Sequence, residues 1–135
     1  YAVLDPNGGR MQYANAGHDL PYHRVGGGCN ELRATGMPLG LMPGMTYEEK
    51  EVELSPGESV LFYSDGLVEA HNPEREMFGF PRLMKLVDVH PGGRTLIEHL
   101  LGELSGFTGR GWEQEDDVTL VTLQRLGEEQ REASL

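Results

Sequence analysis

Ser59-Val60-Leu61-Phe62-Tyr63-Ser64-Asp65-Gly66 is the stretch on which the reading of this chain turns. Residues 59–64 are nearly all apolar and too few for a helix of ordinary length, which predicts a buried strand. That strand delivers Asp65 at its end, where the backbone fixes the carboxylate and Gly66 lets backbone, water or a metal ion come close. Asp-Gly is also a common turn dipeptide, so Asp65 alone decides little. A second acidic signature, Glu115-Asp116-Asp117-Val118-Thr119-Leu120-Val121, again joins carboxylates to a strand-like run. Adjacent carboxylates repel unless water or a cation compensates them. Hard divalent cations take several oxygen ligands, and two strand ends of one sheet can supply them from distant sequence. The pair therefore reads as part of a metal site built on Asp65, Asp116 and Asp117.

The rest of the chain arranges itself around that strand. Tyr1–Asp5 and Met11–Asn15 are strand-forming runs separated by Pro6-Asn7-Gly8-Gly9, which predicts a hairpin. Leu20–Val25 and Cys29–Arg33 form a second, reversed at Gly26-Gly27-Gly28. Thr35–Gly44 is apolar yet studded with Gly and Pro, so it reads as an ordered loop. Thr46–Leu54 alternates apolar and charged residues as a half-exposed strand does, and Ser55-Pro56-Gly57-Glu58 turns the chain. Phe80, Leu83, Met84 and Val87 have helical spacing. A second helix opens near Thr95, carries Leu96, Leu100, Leu101 and Leu104 as its apolar stripe, turns Glu98, His99 and Glu103 to the wet side, and is expected to end at Gly106. Val118–Leu123 is the last strand, and 127–135 is expected to be a mobile charged tail. Strands, then two helices, then a returning strand predict an α+β layered domain with a mostly antiparallel sheet.

Composition sets bounds on function. With 135 residues the chain is one domain's worth and long enough to bury a core. Its net charge of −11 argues against a nucleic-acid partner, which needs a concentrated basic face. No apolar run is long enough to span a membrane, so no direct membrane contact is expected of this segment. Cys29 is the sole cysteine, which excludes an internal disulfide and a thiolate zinc site and points to a cytoplasmic setting. Gly26-Gly27-Gly28 precedes a strand rather than a helix, the wrong context for a nucleotide loop. The opening strand pattern, without a starting Met or leader, reads as a piece of a longer protein.

Asn15-Ala16-Gly17-His18-Asp19 is a third conspicuous stretch. It reads as a capped turn, with His18 a conceivable acid or base but no Ser or Cys nucleophile motif beside it. In order, Tyr13-Ala14-Asn15-Ala16-Gly17-His18, Gly36-Met37-Pro38-Leu39-Gly40-Leu41, the run from Leu54 to Ala70, Phe78-Gly79-Phe80 and Asp116-Asp117-Val118-Thr119-Leu120-Val121 resemble the SpoIIE-like branch of the metal-dependent (PPM, type 2C) Ser/Thr protein phosphatases. Each motif is weak alone; the ordered set is specific and covers most of the chain.

The resemblance implies a PPM-type β-sandwich with flanking helices that holds two Mn2+ or Mg2+ ions, a metal-bound water attacking a phosphoserine or phosphothreonine. It makes Asp65 and Asp116 metal ligands, Asp117 a neighbour or supplementary ligand, and Gly66 the residue that clears the approach. Asn15, Gly17 and His18 would form a loop beside the site. The family carries a further metal-binding aspartate upstream of the Asn-Ala-Gly-His motif, which Asp5-Pro6-Asn7-Gly8 only imitates. Residues 1–126 are thus expected to be the C-terminal part of the domain, incomplete on its N-terminal side, weak or inactive alone and prone to pair as a homodimer through open strand edges. The implied substrate of the parent protein is a phosphorylated regulator, an anti-sigma-factor antagonist. A non-catalytic phosphatase-like interaction module is the competing expectation.

Overall fold

A computed structural model describes residues 1–133 of the chain, and Ser134 and Leu135 lie outside the described residues. Its seven strands are β1 (Ala2–Leu4), β2 (Arg10–Ala14), β3 (Tyr22–Val25), β4 (Gly28–Glu31), β5 (Glu49–Glu53), β6 (Ser59–Tyr63) and β7 (Leu120–Gln124). The helices are α1 (Asp65–Val68), α2 (Phe80–Val89), α3 (Arg94–Thr108) and α4 (Glu128–Ala133). The strands form a three-stranded sheet, β1-β2-β5, and a four-stranded sheet, β4-β3-β6-β7, and every pairing is antiparallel. This is the α+β layered arrangement that the element order predicts.

Strand β6 lies at the centre of the layering. Successive strand residues point to opposite faces, and here both faces are covered. Val60 packs with Met11, Tyr13, Leu32 and Leu54 between the sheets. Leu61 and Tyr63 pack on the other side with Leu83, Val87, Leu96 and Leu100 of α2 and α3. That double burial explains a run with almost no polar residue. Strand β2 shows the opposite case: Met11 and Tyr13 are buried while Arg10 and Gln12 are exposed, as expected of a sheet with one solvated face.

Several boundaries differ from the sequence reading for identifiable reasons. Helix α3 runs through Gly106 to Thr108, because the chain leaves the helix only at Gly109, whose φ of 82° suits glycine. It begins at Arg94 behind Gly93 rather than at Thr95. Leu101 is exposed and Leu100 and Leu104 hold the core, so the buried stripe is narrower than expected. In α2, Leu83 and Val87 are buried, whereas Phe80 at the first position is half exposed. The strand expected over 46–54 is confined to Glu49–Glu53. The last strand begins at Leu120 rather than Val118, since 118 and 119 belong to the turn described below. In the 127–135 segment, Glu128–Ala133 is helical, and the last two positions lie outside the described residues. Among the described residues no helix is long and apolar enough to cross a membrane.

Candidate metal centre

Tyr63 at the end of β6 pairs with Leu120 at the start of β7, so both chain segments leave the sheet at the same place. Ser64 fastens them. Its N–H donates to the Thr119 carbonyl at 3.0 Å. Its hydroxyl donates to the Asp117 carbonyl at 3.0 Å and accepts from the Thr119 N–H at 2.9 Å. Behind it, a Cβ on Gly66 would sit 2.4 Å from the Asp117 carbonyl oxygen. Glycine is therefore required here by backbone approach, at a residue outside the positive-φ set.

These contacts bring Asp65 beside the Asp116-Asp117 pair. Asp65 opens the one-turn helix α1, which four residues are too few to announce by periodicity. All three aspartates are exposed. Asp116 is held by Gln114, whose Nε2 donates to its carbonyl at 2.8 Å, while its own Oδ1 accepts from the Asp117 N–H at 2.8 Å. Glu115 is drawn aside by His71 (Nδ1 to Oε2, 2.9 Å) and more loosely by Arg75 (3.7 Å). A recess of about 300 Å³ lies between Gly66, His71, Trp112, Glu115 and Asp116.

The Asn15–His18 loop is closed on itself. The Asn15 side chain donates to the His18 carbonyl at 2.9 Å and accepts from the His18 N–H at 2.7 Å. It is seated on the Gly36–Pro38 segment, where a Cβ on Gly36 would lie 2.0 Å from the Asn15 carbonyl oxygen and one on Gly17 would lie 2.8 Å from Pro38. His18 is exposed and its Nδ1 lies 3.0 Å from the Asp19 carbonyl. Asp19, not His18, links this loop to the acids. Burial, and then the charge of Asp65, push the Asp19 carboxyl above the usual range, with His18 opposing them. Its Oδ2 is buried with no hydrogen-bond partner. Sequence reasoning quoted Asp19 without singling it out, and its only signal is an acid beside the Asn-Ala-Gly-His turn.

The donor set is of the kind a hard cation takes. It consists of carboxylate oxygens, one of them buried without compensation and sensing a second, beside a glycine-cleared backbone. Among the described residues, however, no three His, Cys, Asp or Glu side chains converge to hold an ion.

The sequence model of the family Stage II sporulation protein E (SpoIIE) matches residues 1–126. The chain belongs to the SpoIIE family. Two curated relatives show how the chain sits within SpoIIE-like proteins. Protein IcfG of Synechocystis sp. is 30% identical over 131 residues, covering 93% of this chain and 20% of IcfG. Phosphoserine phosphatase RsbU of Bacillus subtilis is 26% identical over 129 residues, covering 93% of this chain and 38% of RsbU. The chain thus spans less than half the length of either relative. In structure it is similar to the Mn-presoaked phosphatase domain of the cell fate determinant SpoIIE from Bacillus subtilis, with a TM-score of 0.69 at 17% identity, over 93% of this chain and 55% of that one. That likeness establishes the PP2C-type fold, of which this SpoIIE-family chain covers part.

Proposed function

We propose that the protein to which these residues belong is a metal-dependent phosphatase that hydrolyses phosphoserine or phosphothreonine on a regulatory protein, an anti-sigma-factor antagonist in bacterial partner switching. The observation that carries the reading is the Ser64 bridge, which locks Asp65 beside Asp116-Asp117 at two adjacent strand ends. RsbU, a relative across 93% of the chain, bears the name phosphoserine phosphatase. A solved SpoIIE phosphatase domain of the same fold was soaked with manganese.

In this proposal Asp65 and Asp116 hold Mn2+ or Mg2+, Asp117 supplements them, and Gly66 keeps the backbone approach open. When bound by these residues, such ions would supply Lewis-acid chemistry, lowering the pKa of a water and offsetting phosphoryl charge. Asn15 and Gly17 position the loop that carries His18 and Asp19 beside the acids. Residues 1–126 act as the C-terminal part of a phosphatase domain. Matching only part of a phosphatase domain, the 135-residue chain alone binds ions loosely and turns over slowly in this reading. Val3 and Val121 stay about half exposed on β1 and β7, which supports pairing of two copies through strand edges.

Calorimetric titration of Mn2+, combined with hydrolysis of a phosphoserine peptide, tests the reading. The parent protein should turn over in a metal-dependent way and lose both binding and turnover on Asp65→Asn. Metal-independent turnover by the parent would overturn the proposal. Robust metal-dependent turnover by residues 1–135 alone would overturn only the claim that the isolated chain is weak.

A further inference from the structure

The recess beside Gly66 and Asp116 does not end there. Through His71, Trp112 and Glu115 it adjoins a larger open cleft of about 720 Å³, whose lining includes Arg75 and Arg110. We infer that this cleft seats the segment of the phosphorylated protein that flanks its phosphoserine, and that Arg75 and Arg110 select an acidic residue in that segment. The inference rests on the phosphatase reading above and adds a specificity surface to it.

Three observations carry it. The first is Arg75 itself, which at φ 66° is the only non-glycine residue with positive φ among the described residues. An L side chain is held in that region only when its surroundings enforce it, and such residues concentrate at functional sites. Here the enforcement is visible. Asn72 and Glu76 exchange three hydrogen bonds: Asn72 N–H to the Glu76 carbonyl, Asn72 Nδ2 to Glu76 Oε2, and Glu76 N–H to Asn72 Oδ1. The Arg75 N–H donates to the Asn72 carbonyl at 2.9 Å. A rigid turn therefore presents a guanidinium at a position where glycine would be free of strain.

The second is the availability of that guanidinium. Its side chain is 80% exposed and lies 3.7 Å from Glu115, a loose pair of the kind worth little in water. Glu115 is already served by His71 at 2.9 Å. An incoming carboxylate can therefore take the planar fork in the bidentate manner to which arginine is suited. Glu113 and Glu115 also line the cleft, so the attraction is local to the two guanidinium groups.

The third is Trp112, whose indole N–H is buried without an acceptor. Its ring, not that covered donor, is what the cleft wall offers to an extended segment. Trp112 lines both the recess and the cleft, so its ring is common to the two.

Trp112 is the chain's only tryptophan, so its emission reports occupancy directly. The probes are synthetic phosphoserine peptides with acidic or neutral flanks, titrated into the 135-residue chain. The acidic-flanked peptide should shift the emission and bind about tenfold more tightly than the neutral one, as expected for one charge-assisted contact. Arg75→Gly and Arg110→Ala should each remove most of that preference. Arg75→Gly should also raise the melting temperature, since glycine relieves the positive φ; a purely structural arginine would give the opposite. Unchanged emission at saturating peptide, or equal affinity for the two flanks, overturns the inference.

The parent protein separates this inference from the reading beneath it. Hydrolysis of p-nitrophenyl phosphate needs no flanking segment. If the parent fails on that ester, the phosphatase reading falls. If it hydrolyses the ester and both arginine variants keep the wild-type KM for the acidic phosphopeptide, the cleft assignment falls alone.

Discussion

Two loops reach the candidate metal centre, and they are held in different ways. The Ser64–Gly66 turn and the 116–119 segment are fastened to each other by three hydrogen bonds through Ser64 and by a glycine that admits a carbonyl oxygen. The Asn15–His18 loop is equally well closed within itself, yet its next residue, Asp19, meets the site with an unpartnered carboxylate oxygen and the repulsion of Asp65. One side is fixed by backbone geometry and stands without a ligand. The other is under-compensated until a positive charge arrives, because a buried polar group without a partner is costly. Substitutions on the two sides should therefore have opposite signs.

The largest effect is expected at Gly66. Gly66→Ala places a methyl group 2.4 Å from the Asp117 carbonyl oxygen, a backbone atom that cannot rotate away. The strand ends must separate, at a cost of about 3 kcal/mol in urea denaturation, the upper end of ordinary overpacking. Manganese affinity should fall with it. A stable Gly66→Ala protein with unaltered affinity would show that the two strand ends are not held in register by this contact.

Ser64→Ala comes next. It removes a donor from the Asp117 carbonyl and the acceptor of the Thr119 N–H. Since the Ser64 N–H to Thr119 carbonyl bond survives and the groups freed are exposed to water, the expected loss is about 1 kcal/mol. Ser64→Thr keeps the hydroxyl and should recover most of it. If the alanine variant unfolds no more readily than the parent, water satisfies these groups and the bridge is not the fastening described.

How much of this was legible in the sequence follows the same division. Strand β6 could be read because burial on both faces leaves an unbroken apolar run, and the two hairpins because Asn-Gly-Gly and triple glycine mark their reversals. Asp65 and Asp116-Asp117 could be read because each follows or precedes such a strand. Helix α1 could not, as a single turn has no period, and neither could α4, whose composition is that of a solvated tail. Gly106 misled because a glycine inside a helix looks like a stop until the next positive-φ glycine, Gly109, takes that role. Asp19 was beyond reach for a deeper reason: its significance lies in the burial of one oxygen and the nearness of Asp65, both tertiary facts.

Asp19→Asn tests the unfastened side, and its sign is the reverse of the first two. Removing the charge removes repulsion with Asp65, so the metal-free chain should gain stability. Because Asp19 is only partly buried, with one carboxylate oxygen covered, screening holds that gain to under about 1 kcal/mol. Manganese affinity should fall, since the acid that the cation compensates is gone. The folded carboxyl binds its proton more tightly than the unfolded one, so Asp19 favours folding fully below its ordinary value of 3.8 and loses that contribution as pH rises through the folded value. The advantage of Asp19→Asn should accordingly be absent in acid and present near neutrality. A variant that is less stable at every pH would mean that Asp19 is fastened after all.

The smallest effect lies far from the acids and must be subtracted before the Asp19 profile is read. His90, just past α2, is held below its ordinary value of 6.5 by burial first, then by His99 and Arg24. Its ring stacks on His99 with centroids 5.1 Å apart, its Nδ1 accepts from the Gly92 N–H at 3.0 Å, and its carbonyl accepts from the Arg24 Nε–H. Protonating Nδ1 removes that acceptor and sets a second positive charge against Arg24. A depressed folded value means that stability is complete above about 6.5 and is lost as pH falls through the lower folded value. The loss should be well under about 1 kcal/mol for a group that is only partly buried. It should vanish in His90→Asn, measured as the difference in melting temperature between pH 7.5 and 5, while the Asp19→Asn difference persists in that background. Loss of both differences together would mean that the acids and the α2–α3 junction titrate as one unit, and that the division between a fastened and an unfastened side does not hold.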